Sequence, residues 1–166
     1  TLHSLPKSKK KNELVELVAA DTPHQVILWE KRALTKTMLK QFPAADVKEF
    51  KTSNLLFAWL DMLGGRQSSA QKLDTLHQAI KKDGEYLCFI MLIRHIRLLL
   101  LAKTGGVIKG PPFMVSKYKK QSQLFSEEQL LQLHTHLVSI DERTKTSSMS
   151  VNLESQLDLF TLGVYI

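Results

Sequence analysis

Hydrophobic residues follow two different patterns along this chain, and the pattern changes near residue 51. After this point, apolar positions recur at the three- and four-residue spacing of amphipathic helices. We predict helices over residues 53–62, 69–82 and 85–103. Pro112 suits the first turn of a further helix, and Ser126 with Gln129 forms a capping box for the next one. A last helix contains Leu153, Leu157, Phe160 and Leu162, so this part of the chain is predicted to be a helical bundle.

The segment over residues 85–103, EYLCFIMLIRHIRLLLLAK, is apolar on almost every side. A helix without a polar face belongs in the centre of a helical core. Its interruptions are Arg94, His95 and Arg97. Each arginine would cost about 2.5 to 3.5 kcal/mol near the middle of a bilayer. We therefore predict a central helix of a bundle rather than a membrane span.

Before residue 51 the pattern is mixed. Residues 12–20 and 34–42 have helical spacing, whereas residues 25–29 (QVILW) and 46–50 (DVKEF) read as short strands. This order predicts a β-α-β unit with a helix in front of it. Two strands form a marginal sheet with exposed edges, so we expect something else to complete it. The predicted organisation is a partial α/β segment over residues 1–51 and a helical domain over residues 52–166.

Four groups of residues in the second part carry a family resemblance when they are taken in order. They are Phe57 to Leu63 with Asp61; Met91 to Lys103; Pro112, Phe113, Lys117 and Lys120; and Leu137, Asp141 and Lys145 with the closing NLESQLDLF. Together they span about residues 53–164. This set resembles the carboxy-terminal collar domain of the delta subunit of the bacterial DNA polymerase III clamp loader.

The resemblance implies a role in DNA replication. In that family the subunit is non-catalytic and helps to build the ring that loads the sliding clamp onto primed DNA. It implies other clamp-loader subunits as partners in a hetero-oligomer and indirect contact with the sliding clamp, and it leaves direct contact with DNA open. We expect no membrane and no cofactor as partners. Residues 12–51 resemble the end of the family's ATPase-like α/β domain, without the helical lid that follows it there. The chain starts with threonine, and we expect it to be a fragment or a processed product.

Charge adds a second candidate function. The chain has 23 basic and 16 acidic residues, a net charge of +7, which favours anionic partners. Lys117, Lys119 and Lys120 are the candidate nucleic-acid-binding residues, since lysines give salt-dependent contacts with phosphates. A run of lysines is also typical of a solvated helix face. The alternative function is thus a free-standing basic helical module that binds nucleic acid.

Arg94 and Arg97 are the candidate residues for contact with other subunits. They lie three residues apart and share one face of the predicted central helix. Guanidinium groups suit protein interfaces. In the alternative interpretation their stems lie at the edge of the bundle, and their head groups pair with Asp61 or Asp141.

The sequence offers no catalytic or metal-binding set. The phosphate-binding motif G-x-x-x-x-G-K-[ST] does not occur. His134 and His136 are two residues apart on a predicted helix and point to different faces, so they cannot share one ion. Cys88 is the only cysteine and lies within the apolar helix, which fits a reducing, cytoplasmic compartment. We predict no catalytic residues, no metal and no cofactor.

Overall fold

The computed structural model describes residues 5–20, 25–30, 33–50, 52–146 and 151–164. Its contacts divide the chain into two units, residues 1–51 and 52–166. The described residues contain eight helices and no strand. The mainly helical class that the sequence predicts is therefore correct. The helices are α1 (Lys9–Ala19), α2 (Lys36–Leu39), α3 (Asn54–Met62), α4 (Ser69–Asp83), α5 (Glu85–Lys103), α6 (Pro112–Ser122), α7 (Glu127–Lys145) and α8 (Leu153–Leu162).

The first unit contains α1 and α2. Helix α1 begins three residues before the predicted start, because the Ser8 side chain accepts a hydrogen bond from the Lys11 amide at 3.2 Å and caps the helix. Helix α2 is much shorter than the predicted helix over residues 34–42. It has only four residues and is capped by Thr35.

The predicted β-α-β remnant is wrong. Residues 25–29 and 46–50 have no regular secondary structure. Ile27 is 85% exposed and Phe50 is 92% exposed, so neither segment packs its apolar residues within a sheet. The physical reason is that a strand satisfies its backbone groups only by pairing with another strand. Neither predicted strand pairs with another segment among the described residues.

The second unit is a bundle in which α5 is the central helix. Helix α5 contacts α3, α4, α6, α7 and α8. This position follows from its apolar sequence, as predicted. The buried apolar core of the bundle consists of Leu56, Trp59, Leu60, Leu63, Leu76, Ala79, Cys88, Phe89, Leu92, Ile96, Leu99, Leu130, Leu133, Leu137, Ile140, Leu153, Leu157 and Phe160.

Caps define where the helices of the bundle begin. The capping box predicted for α7 is present, with Ser126 and Gln129 each accepting a hydrogen bond from the other's backbone amide. Pro112 occupies the first turn of α6, also as predicted. Gly64 turns the chain after α3 with φ +72°, where a Cβ would lie 2.5 Å from the Phe125 ring. Only glycine fits this close approach without displacing the ring.

Three polar contacts join helices that are distant in sequence. The Ser53 amide donates to Asp83 Oδ1 at 3.0 Å, and the Ser53 hydroxyl bonds to the same carboxylate. Trp59 Nε1 donates to Thr161 Oγ1 at 3.1 Å, which fixes α3 against α8. A pair between His77 Nε2 and Asp158 Oδ1 at 2.8 Å joins α4 to α8.

Candidate functional site

Helix α6 carries the three lysines that the sequence nominates for nucleic-acid binding. Lys117 and Lys120 are three residues apart and line one surface cavity of about 310 Å³ together with Asp61, Gln121 and Leu124. Lys119 is two positions from Lys117, so it points to a different side of the helix. All three side chains are exposed. The structure thus brings two of the three lysines together.

An acidic residue from α3 balances the charge at this cavity. Lys117 Nζ lies 2.6 Å from Asp61 Oδ2, and both side chains are partly exposed. The pair reduces the positive potential that Lys117 would offer to a phosphate. Lys120 also lines this cavity and adds a second positive charge there.

A buried polar cluster joins α3, α5 and α6 next to this cavity. The Gln121 side-chain amide donates to the carbonyl oxygens of Leu60 at 2.8 Å and Leu63 at 3.2 Å. Gln121 Oε1 lies 3.0 Å from His95 Nε2. Gln121 therefore satisfies two carbonyls near the end of α3 and one ring nitrogen of α5. The pairing of His95 with Gln121 is not evident in the sequence, because the two residues lie on different helices.

The surroundings of His95 favour its neutral form. Burial lowers the pKa of His95 to about 4, although the bond to Gln121 and the charge of Asp61 oppose the shift. The Tyr118 ring packs against the imidazole with a centroid distance of 5.2 Å. Burial raises the pKa of Tyr118, and the charges of Arg94 and Lys117 partly offset this effect. The cluster is a structural junction rather than a proton-transfer site near neutral pH.

Arg94 and Arg97 are both exposed on α5. Within the part of the chain that the structure describes, neither makes a hydrogen bond or an ion pair. The two acids considered as their partners are occupied by lysines: Asp61 by Lys117 at 2.6 Å, and Asp141 by Lys145 at 2.6 Å. The interpretation in which these acids neutralise the arginines is therefore wrong, and the guanidinium groups face outward.

The remaining candidates do not assemble into a reactive site. Burial raises the pKa of the Cys88 thiol to about 11, and the nearby Asp83 adds to the shift, so this residue stays a thiol. No group of three His, Cys, Asp or Glu side chains suited to a metal ion occurs among the described residues. Burial also lowers the pKa of His136, which stacks on Phe160 at 6.5 Å.

A second cavity of about 210 Å³ lies between α3, α4 and the end of α8. Its walls are mostly apolar and include Phe125, Leu133 and Phe160. The Lys72 ammonium lies at this cavity and donates to the Gly65 carbonyl at 2.9 Å. It therefore stabilises the turn after α3. In the described parts of the chain, no helix is long and apolar enough to span a bilayer.

The fold and these surfaces define the class of protein to which the chain belongs. It is a helical bundle with a buried central helix, structural polar junctions and outward-facing arginines. Residues 54–162, about two thirds of the chain, match the family model described as the C-terminal domain of the DNA polymerase III delta subunit. The chain belongs to this family. Neither the comparison with curated proteins nor that with solved structures yields a match.

Family membership confirms the resemblance found in the sequence. The C-terminal domain of the delta subunit is a non-catalytic component of the DNA polymerase III clamp loader, so the chain belongs to the context of DNA replication. The matched residues begin at the start of α3 and end with α8, which means that the match covers the helical bundle.

Proposed function

We propose that this chain is a non-catalytic subunit of the bacterial DNA polymerase III clamp loader and acts by holding other subunits in the ring that loads the sliding clamp. The observation that carries the proposal is the family match over residues 54–162, which covers the whole bundle from α3 to α8. A role in assembly needs a folded surface rather than a reactive centre, and the helical bundle supplies such a surface. Contact with the sliding clamp then passes through neighbouring subunits.

Arg94 and Arg97 are the residues proposed to contact other subunits. Two observations support this role: both side chains are exposed, and neither is neutralised by an acid of the described residues. Arginine is enriched at interfaces because its planar head group forms several hydrogen bonds and its stem adds apolar contact.

The test is light scattering on a sizing column, with the chain alone and mixed with the clamp-loader ATPase subunits of the same organism. We expect a stable hetero-complex whose mass includes this chain. A chain that elutes as a separate monomer at concentrations of tens of micromolar would contradict the proposal. Bovine serum albumin in place of the ATPase subunits controls for non-specific association.

DNA contact through α6 is the second candidate function. It is favoured by the cavity that Lys117 and Lys120 share, with Phe113 exposed at a position four residues before Lys117. The Asp61–Lys117 pair weakens the site, so we expect low affinity. Titration of labelled single-stranded DNA at two salt concentrations tests it. Lys117→Gln/Lys120→Gln should weaken binding and flatten its salt dependence, and an affinity that this variant leaves unchanged would exclude this cavity of α6 as the binding site.

A further inference from the structure

The outward side of α5 differs from the solvent-facing side of an ordinary helix. Tyr86, Ile90, Arg94, Arg97 and Leu101 follow one another at spacings of four, four, three and four residues, so they lie on one face. We name this face the α5 stripe. All five side chains are exposed, and the three apolar ones are 55% (Tyr86), 38% (Ile90) and 40% (Leu101) accessible.

The composition of the α5 stripe is that of a protein interface. An amphipathic helix at a surface usually presents lysine and acidic residues to water. The stripe has neither, and its five residues are one aromatic, two aliphatic and two arginine side chains. Tyrosine and arginine are enriched where partners bind, whereas lysine, glutamate and aspartate are depleted. The outward side of α5 thus has the properties of a surface that another protein covers.

The charge of the α5 stripe indicates what its partner carries. Neither Arg94 nor Arg97 has an ion-pair partner among the described residues, and Asp61 and Asp141 are held by lysines. Burying two unpaired arginines under an apolar surface would be costly. A partner that covers the stripe must therefore supply carboxylates near its middle and apolar side chains near both ends.

The length of the α5 stripe indicates the shape of the partner. Fifteen positions separate Tyr86 from Leu101, which is about 22 Å along a helix axis at 1.5 Å per residue. A straight ridge of this length packs well against the groove of another helix. Two carboxylates three or four residues apart on such a helix would lie opposite Arg94 and Arg97.

We propose that the α5 stripe docks an acidic amphipathic helix of another clamp-loader subunit. The apolar side of that helix packs on Tyr86, Ile90 and Leu101, and its carboxylates pair with Arg94 and Arg97. The inference rests on the proposed function, because it names the partner chemistry of the same assembly role.

A second copy of this chain is a poorer occupant of the α5 stripe. The midpoint between Tyr86 and Leu101 falls next to Arg94. A two-fold axis through this midpoint would place the Arg94 side chains of both copies against each other. Like charges in contact are unfavourable, and no acid on the stripe compensates them. Charge complementarity therefore favours a different, acidic chain.

The test measures binding of the full chain to the clamp-loader ATPase subunits by biolayer interferometry. Arg94→Glu/Arg97→Glu should weaken binding by about 30-fold or more, the loss expected when central contacts are removed. Arg94→Gln/Arg97→Gln should weaken it less and should reduce its salt dependence. The matched control is Arg66→Glu/Lys81→Glu, which makes the same charge change at two exposed positions outside the stripe. Circular dichroism shows whether each variant keeps the helical fold.

The outcomes separate this inference from the proposed function. A wild-type chain that binds no clamp-loader subunit overturns both. A wild-type chain that binds, with both arginine variants binding equally well, overturns the acidic-helix proposal and leaves the assembly role intact. Equal losses of binding in Arg94→Glu/Arg97→Glu and in the control Arg66→Glu/Lys81→Glu would mean that the overall charge of the chain decides binding. This result would also overturn the acidic-helix proposal. The wild-type chain could instead form a dimer that Arg94→Glu/Arg97→Glu abolishes. This result would identify a second copy as the occupant of the α5 stripe and would overturn the acidic-helix proposal.

Discussion

Both units of this chain contain large apolar residues, but they differ sharply in what they bury. Within its described residues, the first unit buries a single apolar side chain, Val15. The second unit has a continuous core to which α3, α4, α5, α7 and α8 contribute. Trp29 is 67% exposed, whereas Trp59 is fully buried. Hydrophobic content alone therefore does not produce a core.

The difference follows from how each type of element satisfies its backbone. A helix closes its hydrogen bonds within its own segment, and packing then adds to an element that already has them. A strand has no internal bonds and needs a partner. The described residues of the second unit form six helices, none of which needs a neighbour for its backbone hydrogen bonds. The two strand-like segments of the first unit have no described partner and stay irregular.

The two tryptophans of the chain provide the strongest test of this contrast. Trp59→Ala should lower the free energy of unfolding by about 3 to 5 kcal/mol, because it leaves a large cavity in the bundle. It also removes the bond to Thr161. Trp29→Ala should change the free energy of unfolding by less than about 0.5 kcal/mol, since the Trp29 side chain is largely exposed.

Urea unfolding followed by circular dichroism measures both changes. Fluorescence gives an independent control: in the Trp29→Ala variant the remaining emission, from Trp59, should be that of a buried indole and should shift to the red on unfolding. Equal destabilisation by the two variants would mean that the first unit has a core of its own, and the contrast between the units would be lost.

A pH-dependent loss of stability should arise from His95 in the bundle. Its pKa is about 4 in the folded state against an ordinary value of 6.5. Between these values the unfolded chain binds a proton that the folded chain does not. The stability that comes from the neutral His95 is therefore fully present above about pH 6.5. The free energy of unfolding decreases as pH falls towards 4, by up to about 3 kcal/mol.

The comparison of wild type with His95→Gln isolates this effect, because glutamine keeps an N–H donor at this position but does not titrate. Unfolding free energies at pH 7, 6, 5 and 4 should fall less steeply in the variant. His136 contributes in the same direction, so a shallow slope should remain. Parallel pH profiles for the two proteins would show that His95 is not held neutral by burial.

Gln121 tests the polar junction of the bundle against an exposed glutamine of the first unit. Gln121→Ala leaves the Leu60 and Leu63 carbonyls and the His95 ring without their partner. We expect a loss of about 2 kcal/mol. Gln41→Ala should cost less than about 0.5 kcal/mol, because that side chain is exposed. Thermal unfolding measures both, and a neutral Gln121→Ala would mean that water replaces the amide.

The sequence predicts the bundle well because its evidence is local. The spacing of apolar residues in α5, the capping box at Ser126 and Pro112 at the start of α6 all depend on residues close together in the chain. The same reasoning failed for residues 25–29 and 46–50. The apolar run of residues 25–29 and the alternation of residues 46–50 each fit a strand, but strand formation depends on a distant partner that neither pattern reveals.

The sequence also does not predict which side chains of different helices bind each other. The sequence allows Asp61 to pair with Arg94 or Arg97, yet Asp61 binds Lys117, and no sequence pattern links Gln121 to His95. Each depends on which faces of α3, α5 and α6 meet, and this is decided by packing of the whole bundle. The roles of Arg94, Arg97, Lys117, Lys119 and Lys120 in binding stay predictions.

One ion pair in each unit offers the finest comparison. Lys117 and Asp61 lie 2.6 Å apart on two packed helices, with side chains 49% and 38% exposed. Lys48 and Asp46 lie 3.7 Å apart in an irregular segment, with side chains 73% and 82% exposed. Exposed pairs contribute little, because water screens the charges and both side chains lose freedom. The more ordered pair should therefore contribute about 0.5 kcal/mol and the other close to zero.

Double-mutant cycles measure these coupling energies directly. Lys117→Met and Asp61→Asn, singly and together, form one cycle, and Lys48→Met with Asp46→Asn forms the other. Unfolding is measured at low and at high salt. High salt should reduce the coupling energy between Lys117 and Asp61 and leave that between Lys48 and Asp46 near zero. A coupling in the Asp46–Lys48 cycle as large as that in the bundle would indicate that residues 46–50 are held in a fixed arrangement. The exposed segment would then be ordered by local contacts alone, and burial would not be what separates the two units.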